Sequence, residues 1–192
     1  MSTASTSAAS TPVASATTTT WSLDPVHSSA QFKIKHMMVS NVRGEFTGLS
    51  GKLTLDNADV TNSRIEASID AATISTRDVQ RDAHLKSADF FDVENFPTLT
   101  FKSTRVTKTI DGELAVTGVL SIHGVSRNVV FEVENPSAPV KDPYGNTRIG
   151  LSATTRISRK DFGLVWNGAL ETGGVLVGDE VTITLDVEFV KA

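Results

Sequence analysis

From Trp21 to Phe189 the chain places an apolar residue at every second position for most of its length, with polar or charged residues between. A period of two marks an extended strand with one face buried and the other wet; a helix needs a period near 3.6. Phe32, Ile34, His36 and Met38 share one face, with Lys33 and Lys35 opposite. Leu53 and Leu55, then Ile65, Ala67, Ile69 and Ala71, repeat the pattern. It continues through Leu99–Ser103, Leu114–Leu120, Val129–Val133, Ile149–Ile157 and Val181–Phe189. With a strand over Gly44–Asp56, about eight strands are expected. Asp111-Gly112, His123-Gly124, Asn135-Pro136, Tyr144-Gly145-Asn146 and Gly173-Gly174 supply the turns. Short turns between successive strands imply an up-and-down antiparallel sheet, and closure into a barrel removes its exposed edges.

Composition excludes several functions. The 192 residues contain no cysteine, so neither disulfides nor zinc–thiolate sites arise. A formal net charge of −4 argues against nucleic acid as a partner. No apolar run is long enough for a transmembrane segment. The first twenty residues are mostly Ser, Thr and Ala, with no charge and no leucine. They lack the basic and leucine-rich regions of a secretory signal. The expectation is a disordered tail over 1–20 ahead of a domain over 21–192. Its expected location is cytoplasmic, with periplasmic or secreted as the alternative.

Alternation stops between Ile74 and Phe96. Thr76–Ser87 reads as a short helix, with Thr76 as N-cap, Asp78 in the first turn, and Val79, Ala83 and Lys86 on one stripe. Phe90, Phe91 and Phe96 follow, and Pro97 restarts extended chain. A helix and three phenylalanines between two strands are expected to plug or cover one barrel end.

An eight-stranded barrel either fills its interior or holds one small ligand. The inward positions Ala67, Ala71, Gly118, Ala153 and Thr155 are small, which favours a cavity. Nine Phe against one Tyr and two Trp point to an apolar lining. Such a lining suits a long alkyl or isoprenoid chain, whose buried methylenes contribute about 0.8 kcal/mol each.

Several blocks of sequence resemble the YceI-like family of polyisoprenoid- or lipid-binding, lipocalin-like proteins. They are Trp21–Ser28, Phe32–His36, Val42–Phe46, Gly51–Leu53, Ile74–Asp78, Arg81–Leu85, Asp89–Asp92, Phe96-Pro97, Gly118–Leu120, His123–Val125 and Ser158–Gly163. The resemblance runs in order from Trp21 to the C-terminus. It implies an elongated apolar tunnel holding a polyprenyl chain or a fatty amide, with links to isoprenoid handling and stress responses. Many relatives carry a secretion signal, and this chain departs from them there.

The fold expected is all-β: an eight-stranded antiparallel up-and-down, lipocalin-like barrel with a short helix between strands 3 and 4. The function expected is non-enzymatic binding, with sequestration or transport of a polyisoprenoid or fatty-acyl lipid. A filled barrel serving as a stress-response or interaction protein is the alternative, and a homodimer is open. The ligand-binding candidates are Phe32, Ile34, His36, Asp78, His84, Phe91, Phe101, Phe162 and Trp166. His36 is expected to be a hydrogen-bonded core histidine, and His84 to bond a neighbouring Asp or a lipid headgroup. Arg77, Asp78, Arg81 and Asp82 read as a surface ion-pair network or a headgroup clamp. His27, His36, His84 and His123 lack paired-ligand spacing, so no metal is expected. No catalytic residue and no cofactor are expected, since no nucleophile, phosphate-loop or dinucleotide motif is present.

Overall fold

Strand after strand forms where the alternation runs, and the sheet closes on itself. The computed structural model describes residues 18–134, 136–171 and 173–192. The expected tail up to residue 17, and Asn135 of the Asn135-Pro136 turn, lie outside the described residues. The first strands are β1 (Thr18–Leu23), β2 (Ser29–His36), β3 (Ser40–Phe46), β4 (Leu49–Asp56) and β5 (Arg64–Asp70). Helix α1 (Val79–Lys86) follows, and then β6 (Thr98–Lys108), β7 (Leu114–Ile122) and β8 (Val125–Val133). The chain ends with β9 (Val140–Lys141), β10 (Thr147–Ser158) and β11 (Val177–Lys191).

These eleven strands make eight staves. One edge of β11 pairs with β10 from Arg148↔Val190 to Ser158↔Glu180. Its other edge is shared end to end, β1 taking Phe189–Lys191 and β2 taking Val177–Asp186. In the same way β4 lies on β1 and β3 lies on β2. Across the barrel β4 pairs with β5, and Glu45 of β3 bridges Ser75 just beyond it. β8 and β9 share one edge of β10 in the same manner, and counting β1/β2, β3/β4 and β8/β9 as one stave each gives a closed, eight-stranded, up-and-down antiparallel barrel. Helix α1 lies between its third and fourth staves. The strand expected over Gly44–Asp56 is therefore one path with a jog at Thr47-Gly48. There Gly48 accepts from Asp70 N–H through its carbonyl and donates its own N–H to Thr73 Oγ1. The segment before Phe32, not counted as a strand from its sequence, supplies β1.

β7 shows the alternation at its cleanest: Leu114, Val116, Gly118, Leu120 and Ile122 are buried, and the residues between are half-buried. Two inward residues differ from expectation. Ala71 is wholly buried but belongs to a one-turn 3-10 helix, Ala71–Thr73. Met38 does not share the inward face, because β2 ends at His36 and Met38 is 63% exposed. Met37 (φ 51°) and Met38 (φ 61°) are consecutive left-handed residues, with Val39 N–H donating to His36 O. This is the signature of a hairpin turn that usually takes Asn-Gly. The left-handed region costs an L-residue about 1–2 kcal/mol.

The two ends of the barrel differ. At the end carrying the termini, Trp21, Leu53, Ile149 and Phe189 pack into a closed apolar cluster. Beside it Arg148 holds three carboxylates, with Nη1 2.7 Å from Asp24 Oδ2 and Nε 2.7 Å from Asp142 Oδ2. The third is Glu188. This cation ties the 24–28 bulge to the β9–β10 hairpin and β11. It holds the Asp24 carboxyl well below the usual carboxylate range, helped by His27, and does the same to Asp142, helped by Asn146. The opposite end carries residues 37–39, the helical segment 71–97, the 123–124 turn and residues 159–171 and 173–176.

Some of the space expected over small residues is already filled. A Cβ on Gly118 would lie 2.4 Å from Phe101 Cζ, and one on Gly44 would lie 2.4 Å from Phe32 Cζ. Each phenylalanine ring lies against the glycine of a neighbouring strand.

Gly44→Ala is expected to cost about 1–3 kcal/mol in urea unfolding. Because the neighbours it meets are side chains of Phe32 and Thr76, Phe32→Leu in the same chain should recover part of that loss; strict additivity would refute the contact. Carboxylates with lowered folded-state pKa stabilise above the unfolded value, roughly 3.9 for Asp. That contribution is lost as pH falls towards the lowered values. Arg148→Gln should therefore reduce the melting temperature at pH 7, with the gap to the parent shrinking between about pH 4 and pH 2.

Candidate functional site

Inside the barrel lies a cavity of about 530 Å³, within the roughly 300–1,000 Å³ of small-molecule sites. The interior is thus not filled. Ile65, Ile69, Leu120, Phe131, Ile183 and Leu185 form much of its wall, contributed by staves around the barrel. The ionisable side chains in the wall are Lys35, His36, Arg81, His84 and Arg159. All five are basic, and they gather at the end opposite the Trp21 cluster. No carboxylate is among the described residues of the wall.

Helix α1 covers part of that end, with a different geometry from the one expected. Its N-cap is Asp78, whose side chain accepts from Arg81 N–H at 3.0 Å. Thr76 lies before the helix and is a buried hub. It donates its N–H and Oγ1–H to Asp82 Oδ1 at 2.8 and 2.5 Å. It also accepts from Arg81, Nε to Oγ1 at 2.7 Å and Nη2 to its carbonyl at 2.9 Å. The ion-pair network expected among Arg77, Asp78, Arg81 and Asp82 is therefore replaced by capping and bonds to Thr76. The stripe of Val79, Ala83 and Lys86 is also overturned, since Val79 is 87% exposed. The face meeting the cavity is Gln80, Arg81, His84 and Leu85, a spacing of one helical turn.

His84 packs edge-on to Trp166, with ring centroids 4.7 Å apart, and to Phe90 at 5.1 Å. Its Nε2 lies 2.9 Å from Asp89 Oδ2, the neighbouring-Asp bond expected of it. Phe91 stands edge-on to Phe46, which in turn touches Phe32. Opposite the helix, Arg159 is 3% exposed. It donates to the carbonyls of Gly178, Leu164, Trp166 and Val177, and Asp179 lies 3.5 Å away. Burial pushes its pKa down, and Asp179 opposes that shift. One guanidinium thus pins the loop that presents Trp166 onto the start of β11.

Of the nine candidates, Phe32, Ile34, His36, His84, Phe91, Phe101 and Trp166 line the cavity. Asp78 does not, because its carboxylate is engaged in capping the helix. Phe162 does not either: it is 1% exposed and packs within the main core from a 3-10 turn, Arg159–Phe162. His36 lines the cavity half-buried and makes no hydrogen bond from its ring among the described residues, so it is not the bonded core histidine expected. Arg81, one of the four residues read as a possible headgroup clamp, lines the cavity; Gln80 and Arg159 line it as well without being expected there, although a helical-wheel count from His84 reaches Gln80. Nothing local in the sequence marks Arg159. Asp24, His27 and Glu188 also bring ligand-type atoms within 4.8 Å of one another, but Arg148 already supplies a cation between the two carboxylates.

A closed antiparallel barrel around an apolar-walled cavity defines a lipocalin-like binding barrel. The chain belongs to the YceI-like family, whose domain matches residues 21–189. A UPF0312 protein of Staphylococcus aureus is 36% identical over 171 residues, covering 89% of this chain and 97% of the relative. The crystal structure of the Campylobacter jejuni YCEI protein superposes with a TM-score of 0.68 at 30% identity, covering 83% of this chain and 91% of that one. A polyisoprenoid binding domain from Saccharophagus degradans superposes with a TM-score of 0.64, covering 90% and 98%. At 16% identity that last likeness is one of fold.

Arg159→Met should leave buried carbonyls without a donor, at a cost of about 3 kcal/mol in denaturant unfolding. Trp166 fluorescence should report a loosened loop before global unfolding. A single transition of parental stability would refute the pinning role.

Proposed function

We propose that this protein binds a long apolar lipid, a polyisoprenoid or fatty-acyl chain, inside the barrel and sequesters or carries it without chemical change. The observation that carries this reading is the cavity itself, apolar around its wall and with ionisable side chains at one end. A chain of about fifteen methylenes would gain on the order of 12 kcal/mol gross from burial there. Association and ordering consume much of that, leaving micromolar or tighter binding. Membership of the YceI-like family and the fold shared with a polyisoprenoid binding domain support the same ligand class. His36, His84 and Trp166 would then lie near the lipid's polar end, and Phe32, Ile34, Phe91 and Phe101 along its chain.

Native mass spectrometry followed by organic extraction tests this. The protein is expected to carry an apolar lipid, or to take up a polyprenyl or fatty-acyl probe from detergent solution. Ala67→Phe, which projects a ring into the cavity, should weaken uptake about tenfold or more while the barrel still melts cooperatively. A protein that carries no lipid and takes up neither probe would overturn the proposal.

A further inference from the structure

Exposed apolar side chains occur at both ends of the barrel: Val26, Ile110, Val140 and Tyr144 at the Trp21 end, and Met37, Met38, Val39, Val79, Val165 and Val175 at the helix-bearing end. Only at the helix-bearing end are three of them consecutive, in the Met37–Val39 turn. The turn lies between the lining residues His36 and Val42, and Val79, Val165 and Val175 directly precede the lining residues Gln80, Trp166 and Leu176. Met37 N–H donates to Leu176 O, which joins the turn to that loop.

The turn is also built against local preference. Two adjacent methionines occupy left-handed positions that Asn-Gly would fill without strain, and Val39 beside them is 81% exposed. A strained turn with exposed apolar side chains marks a candidate interaction surface. The charge on the hairpin indicates what that partner is. Lys33 and Arg43 are exposed and form no ion pair among the described residues. Glu45 is the only acid between Ser29 and Phe46, in a chain of net charge −4. Of the acids elsewhere on this rim, Asp78 is engaged in the helix cap, Asp82 with Thr76, Asp89 with His84, Asp92 with Asn95 and Asp179 with Lys160, while Glu94, Asp161 and Glu171 are exposed on segments away from the β2–β3 hairpin.

We infer that this end of the barrel docks on an anionic lipid bilayer. The Met37–Val39 turn enters the apolar boundary while Lys33 and Arg43 meet the headgroups, so the cavity mouth faces the membrane. A lipid could then pass between bilayer and barrel without crossing water. The inference rests on the cavity being a lipid site, and the test separates the two.

The full chain is sedimented with vesicles of phosphatidylcholine alone and with vesicles containing phosphatidylglycerol. Binding is expected to the anionic vesicles, weakening as salt is raised. Met37→Asn with Met38→Gly should melt at the parental temperature or above, because it relieves the turn, and yet lose most vesicle binding. Lys33→Gln and Arg43→Gln should each lower binding roughly fivefold at low salt. Both sets of variants should take up a polyprenyl probe from detergent as the parent does. Loss of that uptake in the parent would fault the cavity, not the docking surface. No binding of the parent to anionic vesicles, or equal binding by the methionine variant, would overturn the inference. So would a concentration-dependent dimer, seen by analytical ultracentrifugation, that the methionine variant abolishes, since a second copy would then cover the turn.

Discussion

The pairing of β11 on both of its edges is the constraint from which the rest follows. Its fifteen residues join β10 along one side and the β1/β2 stave along the other. Once those ladders form, the sheet closes into a ring, and each strand has one face turned inward. Alternation then ceases to be only a local preference. It becomes an allocation of side chains to inside or outside, and a slip of one residue would reverse a whole stave.

Closure also makes the two ends unequal. At one, Trp21 and its neighbours fill the taper, and the Arg148 carboxylate network holds the chain's connections outside it. At the other, the connections are longer and carry a helix, a buried arginine and an aromatic group. A lipid chain with one polar end suits that asymmetry, with apolar wall along its length and basic groups near the mouth. The same asymmetry accounts for the exposed methionines, which sit where bilayer and cavity would meet.

Much of the wall was legible in the sequence. Phe32, Ile34 and Phe101 lie on strands whose inward face alternation identifies, and all three line the cavity. The errors fall where alternation ends. Thr76 looked like a cap because its residue type suits one, but its side chain turns back to Asp82 and leaves the cap to Asp78. Phe162 looked like lining because it precedes Trp166, yet a single 3-10 turn directs it into the core instead. Arg159 left no local trace, since its partners are carbonyls and any sequence supplies carbonyls.

By itself the sequence determined the strands, their inward faces, the apolar character of the interior and the place of the helical insertion. These depend on neighbours along the chain, where a period of two or of 3.6 is decided by side-chain direction. The tertiary structure decided how much of the interior stays empty and which groups meet at its mouth. Room apparently left by Gly44 and Gly118 is taken by Phe32 and Phe101 from adjoining strands, while the space between Ala67 and Ala153 contributes to the cavity. A cavity is what remains when side chains from eight staves converge, and a one-dimensional pattern carries no measure of that remainder.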